Sequence, residues 1–254
     1  MKYTAVILIA IMMLVTPVLS QSVEELTTEA ERLATVDFDN QKALDKLLQA
    51  EKLAPANYEV LWRISRAYVD IGEHLPGATD AEKEKQLDYY QKALDYSVKA
   101  IAANPNAPTG YVRRAIANGR VALFKGVWSA IDFVKQTRAD CEKAIAIDPK
   151  DHVAYYILGR THAKLCEKSK MIRWPLGLGW ANMEDAITNY EKAISLRSNF
   201  IMYRLDAARA YVEEEEFKKA KEHLIATAAF PKQDEDDDRY KKEAKELLEK
   251  IQNE

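Results

Sequence analysis

The sequence predicts an all-α solenoid of stacked helix pairs, and three observations predict it. Glycine is scarce, at eight in 254 residues, while Ala, Lys, Glu and Leu abound; that mixture favours helix throughout. The stretches KALDKLLQAEKLAP (42–55), KALDYSVKAIAANP (92–105) and EKAIAIDPK (142–150) share one grammar, an alanine five residues before a proline. Counting three residues on from each proline reaches the start of a new apolar, helix-forming run.

The units follow from that spacing. Helix ends fall at Pro55, Pro105, Pro149 and Ser198, the last where a fourth proline would be expected. Proline ends a helix because it lacks an N–H and clashes with the preceding turn, and it suits the opening of the next one. Five residues before each end stand Ala50, Ala100, Ala144 and Ala193, and seven earlier Ala43, Ala93, Thr137 and Ala186. Small side chains there let two helices approach closely. The units are 24–57, 58–107, 108–151, 152–200 and 201–234, the first and last 34 residues long.

A period of 34 residues is that of the tetratricopeptide repeat. Tyr155, Leu158 and Gly159 stand at its large, Leu and Gly positions in the fourth unit, and Tyr211, Ala220 and Leu224 match in the last. The three middle units are longer by 16, 10 and 15 residues, and the excess falls between the two helices of each pair. In the second it holds a Pro-Gly loop and a Thr79-x-x-Glu82 capping box. In the third it reads FKGVWSAIDFVKQTR, too apolar for a floppy linker, and in the fourth RWPLGLGW, residues 173–180. After 234 the acids of DEDDDRYKKEAKELLEKIQNE open a helix and its lysines follow, as the helix dipole prefers. Residues 235–254 are expected to cap the open end. The whole is then a tetratricopeptide-repeat solenoid of five helix pairs with enlarged middle repeats and a C-terminal capping helix, its first helices lining the concave side.

Residues 1–20 read as a leader: Lys2, an apolar run from Ala5 to Val15, then small residues suiting cleavage after Ser20. The run is short of the roughly 20 apolar residues that span a bilayer. Without a Cys at position 21 no lipid anchor is indicated. A mature domain 21–254, exported to the periplasm or secreted, is expected. It has no transmembrane segment, and removal of Lys2 takes the net charge from −3 to −4. Mild acidity gives no nucleic-acid footprint.

Export would allow a disulfide between Cys141 and Cys166. An axial offset of about 7 Å, added to an interaxial gap of about 8–10 Å, exceeds the roughly 7 Å between Cα atoms that a disulfide accepts. Two free, buried thiols are expected.

With the units placed, VLWRISRAYVD (60–70), the enlarged middle repeats and the ending FPKQDEDDDRYKKEAKELL (230–248) resemble the regulator of microtubule dynamics family over residues 24–250. The resemblance implies action by binding rather than catalysis. The leader departs from the better-known members, which are eukaryotic, and puts any role on tubulin in doubt.

Candidate site residues come from comparing units. The ninth position holds Arg32, Arg66, Ile116, Arg160 and Arg209, and the fifth holds Trp62, Val112, Tyr156 and Leu205 in units two to five. Forked guanidiniums beside aromatics suit a protein or peptide partner that is acidic or has a free carboxylate. The alternative is that each arginine pairs with a nearby acid such as Glu59 or Asp206. Trp174 and Trp180 could form a partner-binding lip or fold back over the insertion. A small-ligand pocket near Trp128, Trp174 and Trp180 is the second functional reading.

Metal and catalytic readings are weak. His74, His152, His162 and His223 are scattered, and no Cys-x-x-Cys pair exists. Glu213–Glu216 reads as the last inter-helix turn and Asp234–Asp238 as a solvated helix start. No cofactor is expected.

Overall fold

The computed structural model describes residues 21–254, apart from the side chain of Val127, and no strand occurs among them. The leader expected at 1–20 lies outside the described residues. Twelve α-helices follow: α1 (Val23–Thr35), α2 (Asn40–Leu53), α3 (Tyr58–His74), α4 (Asp80–Ala103), α5 (Pro108–Ala122), α6 (Val127–Ile147), α7 (His152–Cys166), α8 (Lys170–Arg173), α9 (Met183–Leu196), α10 (Ile201–Glu213), α11 (Phe217–Ala228) and α12 (Asp237–Lys250). Five pairs pack in order, α1/α2, α3/α4, α5/α6, α7/α9 and α10/α11, each against the next, with α12 on the last pair. None of these helices is long and apolar enough to cross a membrane.

The alanine positions are where pairs meet. Ala50, Ala100, Ala144 and Ala193 are fully buried, as are Ala93 and Ala186, with Ala43 at 1% exposure and Thr137 at 3%. Gly159 shows how close the approach is: a Cβ there would lie 2.9 Å from the Ala186 carbonyl oxygen. Larger residues fill what remains, with Tyr156 stacked on Tyr203 at 4.4 Å between ring centres and tilted against Tyr190 at 5.8 Å. Such aromatic pairs are worth about 0.5–1.5 kcal/mol beyond their buried area.

Helix starts are capped by the residues after each turn. Asn57 and Asp151 accept from the third backbone N–H of α3 and α7. Ser22–Glu25 and Thr79–Glu82 form full capping boxes. A cap of this kind is worth about 1 kcal/mol.

Part of the second unit's insertion forms the expected Pro-Gly loop, residues 75–79, before the Thr79–Glu82 capping box, but most inserted residues of units two and three do not form loops. They lengthen the second helix, so that α4 has 24 residues and α6 has 21. DAEKEKQL is rich in helix formers, and VWSAIDFVK has no Gly or Pro to stop a helix, so once a helix has nucleated both runs extend it. In unit four the insertion folds into α8 and a 3-10 turn (Trp174–Leu176). Gly177 closes that turn at φ 70°, a left-handed conformation that suits glycine.

Cys141 is buried, Cys166 is half-buried rather than fully enclosed, and both are free thiols. Asp237 departs from the solvated helix start expected for 234–238. It is 1% exposed, and its Oδ2 accepts from the backbone N–H of Gln233 and Asp234.

The segment before α12 also returns to the first repeats. Asn40 Nδ2 donates to Glu235 at 2.9 Å, Lys232 lies over the Phe38 ring, and His74 stands 3.6 Å from both Glu235 and Asp236. The cap therefore joins the two ends of the array, where the repeat pattern alone leads to an open stack.

Candidate functional site

Because α12 folds across, the first helices of units two to five share a cavity of about 460 Å³ with it. Glu73 and His74 come from α3, Arg120 from α5, Arg160 from α7, and Met202, Asp206 and Arg209 from α10. Tyr90 of α4 closes one side, and α12 with the residue before it supplies Asp236, Arg239, Tyr240 and Glu243. The lining is polar, with four guanidiniums facing four carboxylates.

Most of those charges already engage one another. Arg120 pairs with Glu73. Arg209 bridges Asp206 at 2.7 Å and Glu243 at 2.5 Å, and Arg239 holds Asp236 and Glu243. Asp206 is the hub of the wall, since its Oδ2 also accepts from the Tyr156 hydroxyl at 2.7 Å. Burial pushes the Tyr156 phenol well above its ordinary pKa, and the Asp206 charge adds to this. Burial likewise raises the Glu73 carboxyl.

Arg160 is the exception. Its nearest acid is Asp206 at 3.7 Å, beyond hydrogen-bond reach, and its side chain is 44% exposed toward the cavity. Its pKa is raised above the ordinary arginine value, so it stays cationic. It is a cation with open donors.

The predicted site residues therefore divide. Arg160 and Arg209 are brought together on Asp206, with Tyr156 buried beneath them as packing rather than exposed for contact. Arg66 belongs to a neighbouring cluster, bonded to Glu31 at 3.0 Å and Asp70 at 3.2 Å. Trp62 lies beside it, its Nε1 donating to Glu59 and Arg63 stacked on its ring at 4.1 Å. Arg32 is exposed and pairs with Asp37 just beyond its own helix.

Trp174 is 74% exposed, whereas Trp180 is half-buried, edge-on to His162 at 4.8 Å and beneath Arg138 at 4.3 Å. The lip is thus split: one tryptophan is outward and one is packed. Arg173, 6% exposed, ties the insertion by donating to the carbonyls of Lys168, Leu178 and Ala181. None of Trp128, Trp174 or Trp180 lines the cavity.

Comparison at the ninth position missed Asp206 and Arg113 at the sixth and Asp70 and Arg120 at the thirteenth. These stand three before or four after the ninth position on the same helical face, so i−3 and i+4 neighbours of Arg66, Ile116 and Arg209 were the available signal. Among the described residues no group of three or more His, Cys, Asp or Glu side chains could hold a metal ion.

Solved structures of similar shape include a thermophilic TPR protein from Thermus thermophilus. It matches with a TM-score of 0.67 at 16% identity, over 89% of this chain and 99% of that one. PilF of Pseudomonas aeruginosa matches with 0.55 at 11% identity, over 90% and 91%. At those identities the likeness concerns the fold, a tetratricopeptide solenoid. In sequence, regulator of microtubule dynamics protein 3 of Rattus norvegicus is 25% identical over 237 residues, 89% of this chain and 49% of its own length. Regulator of microtubule dynamics protein 1 of Mus musculus is 26% identical over 232 residues, 89% of this chain and 74% of its own. The chain thus spans about half the length of the rat relative. The family model for regulator of microtubule dynamics protein 1-3 matches residues 26–252, and with that span, the five helix pairs and the returning cap, the chain belongs to this family.

Proposed function

We propose that the chain is a non-enzymatic adaptor that binds an acidic segment of a peptide or protein on the inner wall of the solenoid, and that it works outside the cytoplasm. The observation that carries the reading is Arg160, a cation with open donors in a cavity whose other charges are paired off. A forked guanidinium with free N–H donors matches a carboxylate bidentately. The leader-like residues 1–20 support export. For that reason the microtubule role in the relatives' names is not carried over.

Arg160→Glu is the clean test, because reversing Arg66 or Arg209 would also break hydrogen-bonded ion pairs with Glu31, Asp70, Asp206 or Glu243. Immobilised mature chain should capture its partner from a cell-envelope extract, and Arg160→Glu should lose that capture with helicity and melting unchanged. Capture that survives the reversal sinks the cavity as the site. Sedimentation with polymerised tubulin separates the relatives' named role: co-pelleting at physiological salt would replace this reading.

A second reading, carriage of a small polar ligand, is favoured by the closure of the cavity by α12 and by its volume, which lies within the roughly 300–1,000 Å³ of ligand pockets. It moves the pocket away from Trp128, Trp174 and Trp180. Native mass spectrometry of the purified chain before and after exhaustive dialysis distinguishes it, since a removable mass under about 1 kDa supports the carrier.

A further inference from the structure

We propose that Arg113 is a second carboxylate-binding subsite on the inner wall, outside the cavity and serving the same acidic peptide partner. The proposal deepens the adaptor reading and rests on it. Arg113 and Arg120 stand seven residues apart on one face of α5, about 10 Å along the axis. Arg120 is satisfied by Glu73. Arg113 is not: the residue is half-buried, its Nε is enclosed without a partner, and it makes no ion pair or hydrogen bond among the described residues.

The acids around it are engaged elsewhere. Glu31 bonds Arg63 and Arg66, Asp70 bonds Arg66, and Asp151 caps the first turn of α7 through the Ala154 N–H. Arg66 adds a like charge nearby. Burial first, and Arg66 second, pull the Arg113 pKa down to about 10, which leaves it charged at neutral pH. A half-buried cation without a counter-charge is costly in the free protein, and a group left so calls for a missing partner.

The chemistry of that partner follows from the surroundings. A guanidinium fork matches a carboxylate bidentately. One unmatched charge, with Glu31, Asp70 and Asp151 in electrostatic range, favours a monoanion over a dianionic phosphate. The Trp62 ring, centred 5.6 Å from the Arg113 guanidinium carbon, offers a flat apolar neighbour for the adjoining side chain. α7 packs beside α5, so a short extended peptide with two acids would meet Arg113 and Arg160, two guanidiniums with no hydrogen-bonded acid among the described residues.

The test uses the full mature chain and calorimetric titration with a blocked peptide of alternating Glu and Leu, its Gln counterpart, and inorganic phosphate. The Glu peptide is expected to bind, the Gln peptide not. Arg113→Gln should weaken binding roughly tenfold or more, with partial rescue in Arg113→Lys. In the unaltered protein, phenylglyoxal labelling read by mass spectrometry should show Arg113 protected by the Glu peptide, which keeps the test open should the variants fold poorly.

Equal binding of the Glu and Gln peptides, unchanged affinity in Arg113→Gln, or no protection of Arg113 would overturn the subsite. Phosphate binding more tightly than the Glu peptide would overturn the carboxylate assignment. Loss of binding in Arg160→Glu alone leaves the adaptor reading standing and removes only Arg113, whereas indifference of both variants removes both.

Discussion

At Gly159 the fold leaves no room for a methyl group. Glycine in a helix interior normally costs about 1 kcal/mol relative to alanine, so Gly159→Ala would stabilise an isolated α7. Here the added Cβ would sit 2.9 Å from the Ala186 carbonyl oxygen and 3.1 Å from a Tyr190 ring carbon. Neither backbone nor a buried tyrosine packed on Tyr156 can move without disturbing the α7/α9 contact. Overpacking of this kind typically costs about 1–3 kcal/mol and so exceeds the propensity gain. The Gly159→Ala chain is therefore expected to unfold at lower urea with an unchanged slope, and a midpoint at or above the parent's would refute the close-packing argument. Asp206 decides another case. It accepts from Tyr156 and Arg209 while only 11% of its side chain is exposed. Asp206→Ala would strand a buried phenol and leave two guanidiniums facing each other. A loss of about 3 kcal/mol is expected by chemical denaturation. A loss below about 1 kcal/mol would mean that the hub is dispensable.

At the scale of elements, the repeat was legible because nearest-neighbour packing writes itself into local sequence. Every pair must bring two helices close, so Ala50, Ala100, Ala144 and Ala193 recur at fixed distance from the turn, all fully buried. Whether inserted residues become loop or helix is less legible. The extra lengths of units two and three were countable, but apart from the Pro-Gly loop at 75–79, α4 and α6 absorbed most of them by extending a helix already formed. The site was less legible still. Position nine marks which side chains face inward, yet partners such as Asp206 for Tyr156, 50 residues apart, depend on stacking geometry that no local pattern encodes. The cap is the element whose removal should be most visible. Ala244 and Ile251 are buried against Leu205, Ala208, Tyr211 and Leu224, with Leu247 and Leu248 packed alongside. Deleting 235–254 should cost roughly 3–6 kcal/mol, from about 1.5–3 kcal/mol per large apolar side chain uncovered. It should also produce self-association, measured by light scattering. A monomeric deletion with parental melting would show that the last pair needs no cover.

For the molecule as a whole, the question is what holds the two ends of the array together, and His74 makes the answer testable. Repeat stacks couple only neighbours, so contacts between α3 and the segment before α12 are additional to the solenoid. His74 Nδ1–H donates to the Asp70 carbonyl at 2.7 Å, and its ring stands 3.6 Å from Glu235 and Asp236, with Glu73 close by. Partial burial works against the charged imidazole, but the Asp70 carbonyl and the Glu235 and Asp236 carboxylates outweigh it and hold the pKa above the ordinary 6.5. A raised pKa means that the folded state binds the proton more tightly than the unfolded chain. The stability this adds is fully present below about pH 6.5 and fades as pH rises through the folded value. His74→Gln keeps a hydrogen-bonding side chain and removes the titration. The parent should therefore melt above His74→Gln at pH 6, and the two should converge by pH 8.5. The difference at pH 6 should shrink in 0.5 M salt, because the side chain is 36% exposed and screening reaches it. A gap that is constant across this pH range would mean that the ends are joined by Asn40–Glu235 and packing alone. The same titration bears on access to the cavity, since His74 and Asp236 both line it. If the join gates entry, partner capture should strengthen from pH 6 to pH 8.5 in the parent and stay level in His74→Gln.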